Sequence, residues 1–408
     1  MSSQTSSLLS RVTLTPLDSI LMAILIVDDE PDLEGLVRQK FLRQIAAGEL
    51  EFAFALNGEQ ALEKLEADER LDIVVSDINM PVMDGLTLLS NLVDYGRPLK
   101  TIIVSAYDDM PNIRTAMNRG AYDFLTKPID FKDLGTTLER TRRELETIRS
   151  GILAREHLTL LHSELEIAMR IQKSILPETI IGHDAFEISA SMLPARQVSG
   201  DFYDFFLIDA HRLGVCIGDV SGKGIPAALF MAVSRTLLRA TALHGAPPKE
   251  CLAHVNDVLL RQSKGELFVT LFYAILDLRT GDLEFSAGGQ TAPCLLTREG
   301  QPQYLREPRG YMLGLFDDAV FTGGHAKLNE GDVLVLYTDG VTEAEDENSQ
   351  FYTEARLTAA LTAMNDAPAE RIVTKVVSEV NSFTGGNPQT DDITVLAVRY
   401  CGALQIEL

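Results

Sequence analysis

ILIVDDE, residues 24–30, is the stretch that decides the fold of the first part of the chain. Its four apolar residues predict a buried strand, and the acidic residues behind them place carboxylates at its carboxyl end. Segments with helical periodicity, such as 59–66 and 86–93, separate this strand from four further apolar runs. Those runs are 51–55, 73–76, 101–104 and 123–126. Strands that alternate with helices predict a doubly wound α/β domain with a five-stranded parallel sheet.

Polar residues stand at the carboxyl ends of these strands, where such sheets place their functional sites. They are Asp28, Asp29, Asp77, Ser105 and Lys127. Converging carboxylates repel one another unless a cation joins them, and an all-oxygen ligand set suits Mg²⁺. Lys127 adds a positive charge for phosphate, and Ser105 adds a hydroxyl donor. A carboxylate at position 77, beside Mg²⁺ and an ammonium group, can attack a phosphoryl donor.

Four motifs, in this order and spacing, resemble the response-regulator receiver domain. They are ILIVDDE, SDINMPVMDG at 76–85, VSA at 104–106 and the pair Lys127-Pro128. The resemblance covers residues 23–140 and implies that Asp77 is the phosphoacceptor. The implied Mg²⁺ ligands are Asp28, Asp29, Asp77 and the backbone carbonyl of Asn79. The implied switch residues are Ser105, Phe124 and Lys127. Phosphorylation at Asp77 would then bias a two-state surface.

A long segment with few helix breakers follows this domain. Between residues 134 and 175 it contains no proline and only two glycines. Leu138, Leu145 and Ile152 keep a seven-residue step, which resumes in a different phase from Leu158 to Ile175. A narrow apolar seam on a mixed-charge surface predicts a helical coiled-coil connector over 141–177. A rod of about 40 residues would span ~60 Å. The alternative is two ordinary helices, each packed on its own domain.

The pattern changes after Pro177. Predicted strands are 186–192, 202–208, 212–217, 268–277, 282–287, 333–337 and 393–399. Predicted helices are 226–243, 248–263, 352–364 and 368–384. Runs of strands interrupted by paired helices predict an α+β domain over 178–400, a β-sandwich flanked by helices. Residues 1–22 and 401–408 are interpreted as tails, the first one disordered or an artefact of start-codon choice.

Four short acidic signatures mark the C-terminal half, each in or beside a predicted strand. They are GDFYD at 200–204, IGDVSGKG at 217–224, YTDGV at 337–341 and TDDIT at 390–394. The aspartates they supply are Asp201, Asp219, Asp339 and Asp391. Two divalent cations would neutralise these four charges. A metal pair that bridges a water can clamp a phosphoryl group for in-line attack, with no cysteine, histidine or serine nucleophile.

Segment 218–224 also invites comparison with a nucleotide-binding P-loop. That motif needs four residues between its glycines and Ser or Thr after the lysine. Here only three residues separate Gly218 from Gly222, and Gly224 follows Lys223. We therefore expect these glycines to let the backbone approach a metal site, with Pro226 at the start of a helix.

Together the four signatures resemble the metal-dependent protein serine/threonine phosphatases of the PPM family, in particular its bacterial stress-response and sporulation branch. The resemblance covers 165–400, including the approach ELEIAMRIQKSILP at 164–177. The implied metal ligands are Asp201, Asp219, Asp339, Asp391, the carbonyl of Val220 and, as a weaker candidate, Asp392. Arg196 matches the family's phosphate-binding arginine. Gln197 and Ser199 stand where the branch usually has Glu and Gly; neither is a ligand, so the departure concerns only the shape of the loop.

These features predict a two-component response regulator that hydrolyses phosphoserine or phosphothreonine on a partner protein. The resemblance implies a sensor histidine kinase or phosphotransfer protein upstream, and a phosphorylated anti-anti-sigma (STAS) protein as substrate. It implies Mg²⁺ in the receiver and two Mn²⁺ or Mg²⁺ in the phosphatase domain. The connector predicts a homodimer, and we expect phosphorylation to activate. The alternative is a receiver-controlled adaptor with a catalytically weak, phosphatase-like domain; the presence of all four aspartates favours the enzyme.

Composition excludes other classes. Lys and Arg number 36 against 59 Asp and Glu, a formal net charge of −23 that would repel nucleic acid. No helix-turn-helix pattern is visible, so a DNA-binding regulator is not expected. The four cysteines lie far apart without a CxxC pair, as expected for buried thiols in a reducing cytoplasm. No apolar run reaches the ~18 residues of a membrane span.

Overall fold

A computed structural model describes residues 21–402, with gaps at 94, 107–108, 178–182, 264–265, 299–300, 308–309 and 363. The chain divides into two compact units, Met1–Leu160 and Leu161–Leu408. The predicted tail at 1–22 and the end of the chain after 402 lie almost entirely outside the described residues. No helix in the described ranges has both the length and the hydropathy needed to cross a bilayer.

The first unit is built on a parallel sheet. Its strands are β1 (Met22–Val27), β2 (Leu50–Ala55), β3 (Leu71–Asp77), β4 (Lys100–Ala106) and β5 (Asp123–Lys127). Its helices are α1 (Asp32–Lys40), α2 (Leu42–Ala46), α3 (Gly58–Ala67), α4 (Gly85–Leu92), α5 (Met110–Asn118) and the first part of α6 (Phe131–Ile175). The strand order is β2-β1-β3-β4-β5, with every pair parallel. The predicted five-stranded doubly wound sheet is confirmed.

Alternate side chains of each strand serve opposite faces of this sheet. Ile24 and Ile26 pack in one apolar cluster with Leu138 of α6, whereas Leu25 packs in another with Leu88 of α4. This alternation follows from the two-residue period of a strand, and it covers both faces with helices.

Helix α6 is continuous from Phe131 to Ile175. Its first turns belong to the sheet core, because Leu134, Leu138 and Leu145 are buried there. Residues 150–164 are exposed all round. The predicted long connector helix is therefore confirmed, although it begins inside the range predicted for the first domain; pairing with a second helix stays a prediction.

The second unit contains two antiparallel sheets. The first has the order β13-β10-β9-β8-β7 and the second β12-β11-β14-β15-β6. The first sheet comprises β7 (Phe202–Leu207), β8 (Arg212–Val220), β9 (Val269–Asp277), β10 (Asp282–Gly288) and β13 (Gly324–Lys327). The second comprises β6 (Phe186–Leu193), β11 (Cys294–Leu296), β12 (Gln303–Tyr304), β14 (Val333–Tyr337) and β15 (Ile393–Tyr400). The helices are α7 (Ile225–Ala242), α8 (Pro248–Ser263), α9 (Asp339–Thr342), α10 (Thr353–Thr362) and α11 (Ala369–Thr384).

The two sheets pack face to face with helices outside them. Leu334 and Leu336 point into the inter-sheet cluster, while Val333 and Val335 point outward to the cluster that contains residues of α10 and α11. On the far side, α7 and α8 cover the first sheet in a third cluster. This four-layer arrangement confirms the predicted β-sandwich flanked by helices. Strands β11, β12 and β13 and the one-turn helix α9 were not predicted.

Candidate functional sites

Three carboxylates meet at the carboxyl edge of the parallel sheet. Val27 of β1 lies opposite Ser76 of β3, so the residues that follow, Asp28 and Asp77, lie side by side at the edge of the sheet. Both are buried, whereas Asp29 is exposed. One carboxylate oxygen from each of the three lies within 4.8 Å of the others. The register of two neighbouring strands therefore creates the cluster predicted for this edge.

Lys127, the last residue of β5, reaches into this cluster. Its Nζ lies 2.9 Å from Asp28 Oδ2 and 2.8 Å from Asp77 Oδ2. Burial raises the pKa of Asp77, and the hydrogen bond and charge of Lys127 partly offset that rise. The ammonium group thus holds the two buried carboxylates together and compensates part of their charge.

The loop after Asp77 folds back tightly on it. A Cβ atom at Gly85 would lie 2.0 Å from the carbonyl oxygen of Asp77, so this position requires glycine. Asp84 caps α4 by accepting a hydrogen bond of 2.7 Å from the Thr87 backbone N–H. The Ile78 N–H donates to Asp77 Oδ1 at 2.7 Å, and Asn79 is exposed directly beyond it.

The predicted switch residues lie on the neighbouring strands β4 and β5. Ser105 is buried and donates to Asp109 Oδ2 at 3.3 Å, whereas the Phe124 side chain is 37% exposed. The hydroxyl group is therefore engaged by Asp109 and the ring lies at the surface. Their roles as switch residues stay predictions.

Asp201 and Asp219 lie opposite each other on neighbouring strands of the first antiparallel sheet. Phe202 pairs with Gly218, which brings Asp201, just before β7, opposite Asp219 in β8. Two hydroxyl groups from the other sheet, Thr338 and Thr394, donate to Asp201 Oδ2 at 2.8 and 2.6 Å. Burial, followed by the charge of Asp219, raises the pKa of Asp201 well above its ordinary value. Asp201 thus joins the rims of the two sheets.

Asp339 and Asp391 approach the same region from the second sheet. Asp339 is the first residue of α9, separated from the end of β14 by Thr338, and Asp391 lies two residues before the start of β15. Burial, followed by the charges of Asp339 and Asp391, raises the pKa of Asp219 to about 7. Burial and the charge of Asp391 likewise raise the pKa of Asp339. The four predicted aspartates therefore act on one another electrostatically, as expected for carboxylates around one cavity.

This second group is looser than the first. Within the described ranges, the only trio of His, Cys, Asp or Glu with ligand atoms within 4.8 Å of one another is Asp28, Asp29 and Asp77. One cation lies close to the looser group: Lys223 Nζ is 3.1 Å from Asp391 Oδ2. These carboxylates thus interact electrostatically without forming a tight cluster.

The carboxylate of Asp392 is engaged by the loop that carries Arg196. Its Oδ1 accepts a hydrogen bond of 2.7 Å from the Ala195 N–H. Its Oδ2 accepts from Ser199 Oγ at 2.7 Å and from the Gly200 N–H at 2.8 Å. Both oxygens are therefore occupied in holding the loop, and Arg196 projects from that loop as an exposed side chain.

The backbone around Val220 is close to the same loop. A Cβ atom at Gly200 would lie 2.9 Å from the Val220 carbonyl oxygen, so the absence of a side chain lets the two segments approach. Gly340 is required for a similar reason, because a Cβ atom there would lie 2.0 Å from the Asp392 carbonyl oxygen.

Five contributing residues were not singled out from the sequence. They are Gln172, Ser199 as a hydrogen-bonding residue, Lys223, Thr338 and Thr394. The threonines carried a usable signal, since each stands within three residues of a predicted ligand in an acidic signature. Gln172 carried another, since it continues the seven-residue step of Leu158 and Leu165 with a polar side chain.

Comparison with known proteins agrees with this division. Residues 24–139 match the family model of the response regulator receiver domain, and residues 209–400 match that of stage II sporulation protein E. This chain joins a receiver domain to a PPM-type phosphatase domain. The two predicted resemblances are thereby confirmed.

Two curated relatives each match about half of this chain. Protein IcfG of Synechocystis is 32% identical over 262 residues, which is 58% of this chain and 41% of that protein. Phosphoserine phosphatase RsbU of Bacillus subtilis is 32% identical over 204 residues, which is 48% of this chain and 61% of RsbU. The chain thus spans about half the length of these relatives.

A solved structure shares the fold of the phosphatase domain. The SiaA-PP2C domain of Pseudomonas aeruginosa superposes with a TM-score of 0.54 at 22% identity, covering 60% of this chain and 98% of that one. The likeness supports the sandwich architecture described above.

Proposed function

We propose that the chain is a response regulator whose output is the metal-dependent hydrolysis of phosphoserine or phosphothreonine on a partner protein. The observation that carries the proposal is the mutual field of Asp201, Asp219, Asp339 and Asp391. They lie at the rim of the sandwich in a region that matches a phosphatase family, and burial together with neighbouring carboxylates raises the pKa of Asp201, Asp219 and Asp339.

The residues present fit a pair of divalent cations. Buried carboxylates that repel one another are stabilised by added positive charge, and an all-oxygen donor set suits Mg²⁺ or Mn²⁺. We propose Asp201, Asp219, Asp339, Asp391 and the Val220 carbonyl as the ligands of this pair. For the receiver we propose Asp28, Asp29, Asp77 and the Asn79 carbonyl as ligands of one Mg²⁺.

The chain's own residues would do the positioning. A bound metal pair supplies an acidified water and positive charge for the phosphoryl oxygens. Thr338 and Thr394 hold the Asp201 carboxylate through its Oδ2. Asp392, the weaker ligand candidate, accepts loop hydrogen bonds on both of its oxygens, so we propose that it holds the loop beside the four ligands. The exposed guanidinium of Arg196 would bind the phosphoryl oxygens, for which its fork geometry suits it.

Hydrolysis of p-nitrophenyl phosphate by the full chain tests this activity. We expect turnover with Mn²⁺ that falls at least about 1000-fold in Asp339→Ala, because one charge of the array is lost. Glu347→Gln, at an exposed acidic position eight residues further along the chain, serves as the control and should retain activity. Absence of turnover in the wild type with either Mn²⁺ or Mg²⁺ would support the alternative, a receiver-controlled adaptor.

The partner we propose as substrate is a phosphorylated STAS protein. The name phosphoserine phosphatase borne by RsbU supports the class of bond, and the resemblance to stress-response phosphatases supports the class of protein. Release of phosphate from purified phosphorylated STAS proteins, but not from an unrelated phosphoserine protein, is the expected result.

Control by the receiver is a separate part of the proposal. A histidine kinase or phosphotransfer protein would phosphorylate Asp77, and α6, paired with the helix of a second chain in a cytoplasmic homodimer, would transmit the change. Beryllium fluoride, which mimics the acyl phosphate, should raise hydrolysis in the wild type but not in Asp77→Asn. Equal activity with and without beryllium fluoride would refute the coupling while leaving the hydrolysis untouched.

A further inference from the structure

Gln172, near the end of α6, binds the backbone of Ser199 in the loop that carries Arg196. Gln172 is 5% exposed, although Ile171 and Lys173 on either side of it are exposed. Its Nε2 donates to the Ser199 carbonyl oxygen at 2.7 Å, and its Oε1 accepts from the Ser199 N–H at 3.0 Å. The carboxamide therefore satisfies both backbone groups of a buried residue 27 positions away.

Ser199 passes this contact on to the candidate metal site. Its Oγ donates to Asp392 Oδ2 at 2.7 Å and accepts a hydrogen bond of 3.0 Å from the Asp201 N–H. The Gly200 N–H donates to the same Asp392 oxygen at 2.8 Å. A continuous chain of buried hydrogen bonds thus runs from the side chain of Gln172 to the backbone of Asp201.

The end of the helix is anchored beside this chain. Leu176, one turn after Gln172, is buried in the cluster that contains Phe202 of β7 and Ala227 of α7. Phe202 directly follows Asp201. A shift of the last turn of α6 would therefore move the partners of Gln172 and the start of β7 together.

We propose that Gln172 is a positioning residue that fixes segment 199–201, and with it Asp201 and the loop that carries Arg196. The inference deepens the proposed phosphatase function, on which it rests, by naming the residue through which α6 acts on the site. Gln172 touches no reacting atom; it acts through Ser199.

Three substitutions in the full chain test this role. Gln172→Met keeps the size of the side chain and removes both hydrogen bonds, Gln172→Glu keeps only the acceptor, and Lys173→Met is the control on the exposed neighbour. We expect kcat for p-nitrophenyl phosphate to fall about 30-fold in Gln172→Met, with KM changed less than about threefold. Hydrogen exchange of the peptide that covers 199–201 should accelerate about tenfold, while Lys173→Met matches the wild type.

The pH profile of Gln172→Glu separates positioning from mere packing. Protonation of the introduced carboxyl group restores a donor for the Ser199 carbonyl, so its activity relative to the wild type should rise as the pH falls. Exchange at 199–201 and kcat in Gln172→Met that both equal those of Lys173→Met would overturn the inference. If the wild type lacks turnover, the proposed function fails, but the exchange measurement still decides whether Gln172 holds the segment.

Discussion

The two carboxylate sites of this chain differ in where their positive charge comes from. In the receiver domain, Lys127 lies within 3 Å of both buried aspartates, Asp28 and Asp77. In the phosphatase domain, the Nζ of Lys223 lies 3.1 Å from Asp391 Oδ2, at the exposed side of the group. Burial and the charge of a neighbouring aspartate raise the pKa values of Asp201, Asp219 and Asp339.

The folds explain this difference. Parallel strands deliver neighbouring residues to one edge, so three carboxylates and a lysine meet at short distances. The sandwich instead draws its aspartates from strand ends in two sheets, which leaves them more dispersed than the receiver aspartates. Lys127 compensates part of the charge of the buried receiver aspartates. We therefore expect the phosphatase aspartates to depend more strongly on cations from solution.

The largest expected difference between the two sites is the effect on basal hydrolysis of removing one carboxylate from each. We expect Asp219→Asn to lower Mn²⁺-dependent hydrolysis at least about 1000-fold, because the metal pair loses a ligand. Asp28→Asn should leave basal hydrolysis within about twofold and abolish only the response to beryllium fluoride. Phosphate release measured on both variants checks this, and equal losses of basal activity would erase the distinction between the sites.

Stability without metal should depend on pH through the phosphatase site. The pKa of Asp219 is raised to about 7 by burial and by the charges of Asp339 and Asp391, and unfolding returns it to about 4. The folded chain therefore binds this proton more tightly. The contribution of Asp219 to stability is fully present below about pH 4 and is lost as the pH rises to about 7.

Calorimetry of the chelated full chain measures this effect. The midpoint temperature of unfolding of the phosphatase domain should fall by on the order of 5 °C between pH 5 and pH 8. Saturating Mn²⁺ should remove this difference. Asp219→Asn, which cannot titrate at that position, is the control and should show a smaller fall. If the midpoint temperature of the metal-free wild type is the same at pH 5 and pH 8, the carboxylates do not repel one another in the folded state.

Lys223 gives the smallest expected effect. Its ammonium competes with a cation for Asp391 Oδ2, so Lys223→Gln should tighten Mn²⁺ binding by about threefold. Lys249→Gln, at an exposed lysine of α8, is the control. Weaker Mn²⁺ binding in Lys223→Gln, measured by titration calorimetry, would mean that Lys223 supports the metal site rather than competing with it.

The strand ends could be predicted because their apolar runs are long enough to be distinctive. Asp28, Asp77 and Asp219 were located in this way, and each lies at or beside the predicted strand. Strands β11, β12 and β13 contain only three, two and four residues, too few for an apolar run or an alternation to appear. Helix α9 has one turn and begins at Asp339 itself, which the sequence pattern marks only as a turn.

The supporting contacts were beyond prediction for another reason. Thr394 is 193 positions from Asp201, its hydrogen-bond partner, and Gln172 is 27 positions from Ser199. Local periodicity carries no information about such pairs. The sequence shows that Ser199 stands where related phosphatases usually have glycine. Its role becomes visible only in the folded sandwich, where its hydroxyl group donates a hydrogen bond to Asp392.

Titration of the chelated full chain with Mn²⁺, with phosphate release followed at each step, tests the central claim most directly. The account predicts that hydrolysis appears as each chain binds two cations in addition to the one in the receiver. It also predicts that Asp339→Ala shows no turnover and no activation by those two cations. A wild-type chain that binds only the receiver cation and releases no phosphate would contradict it.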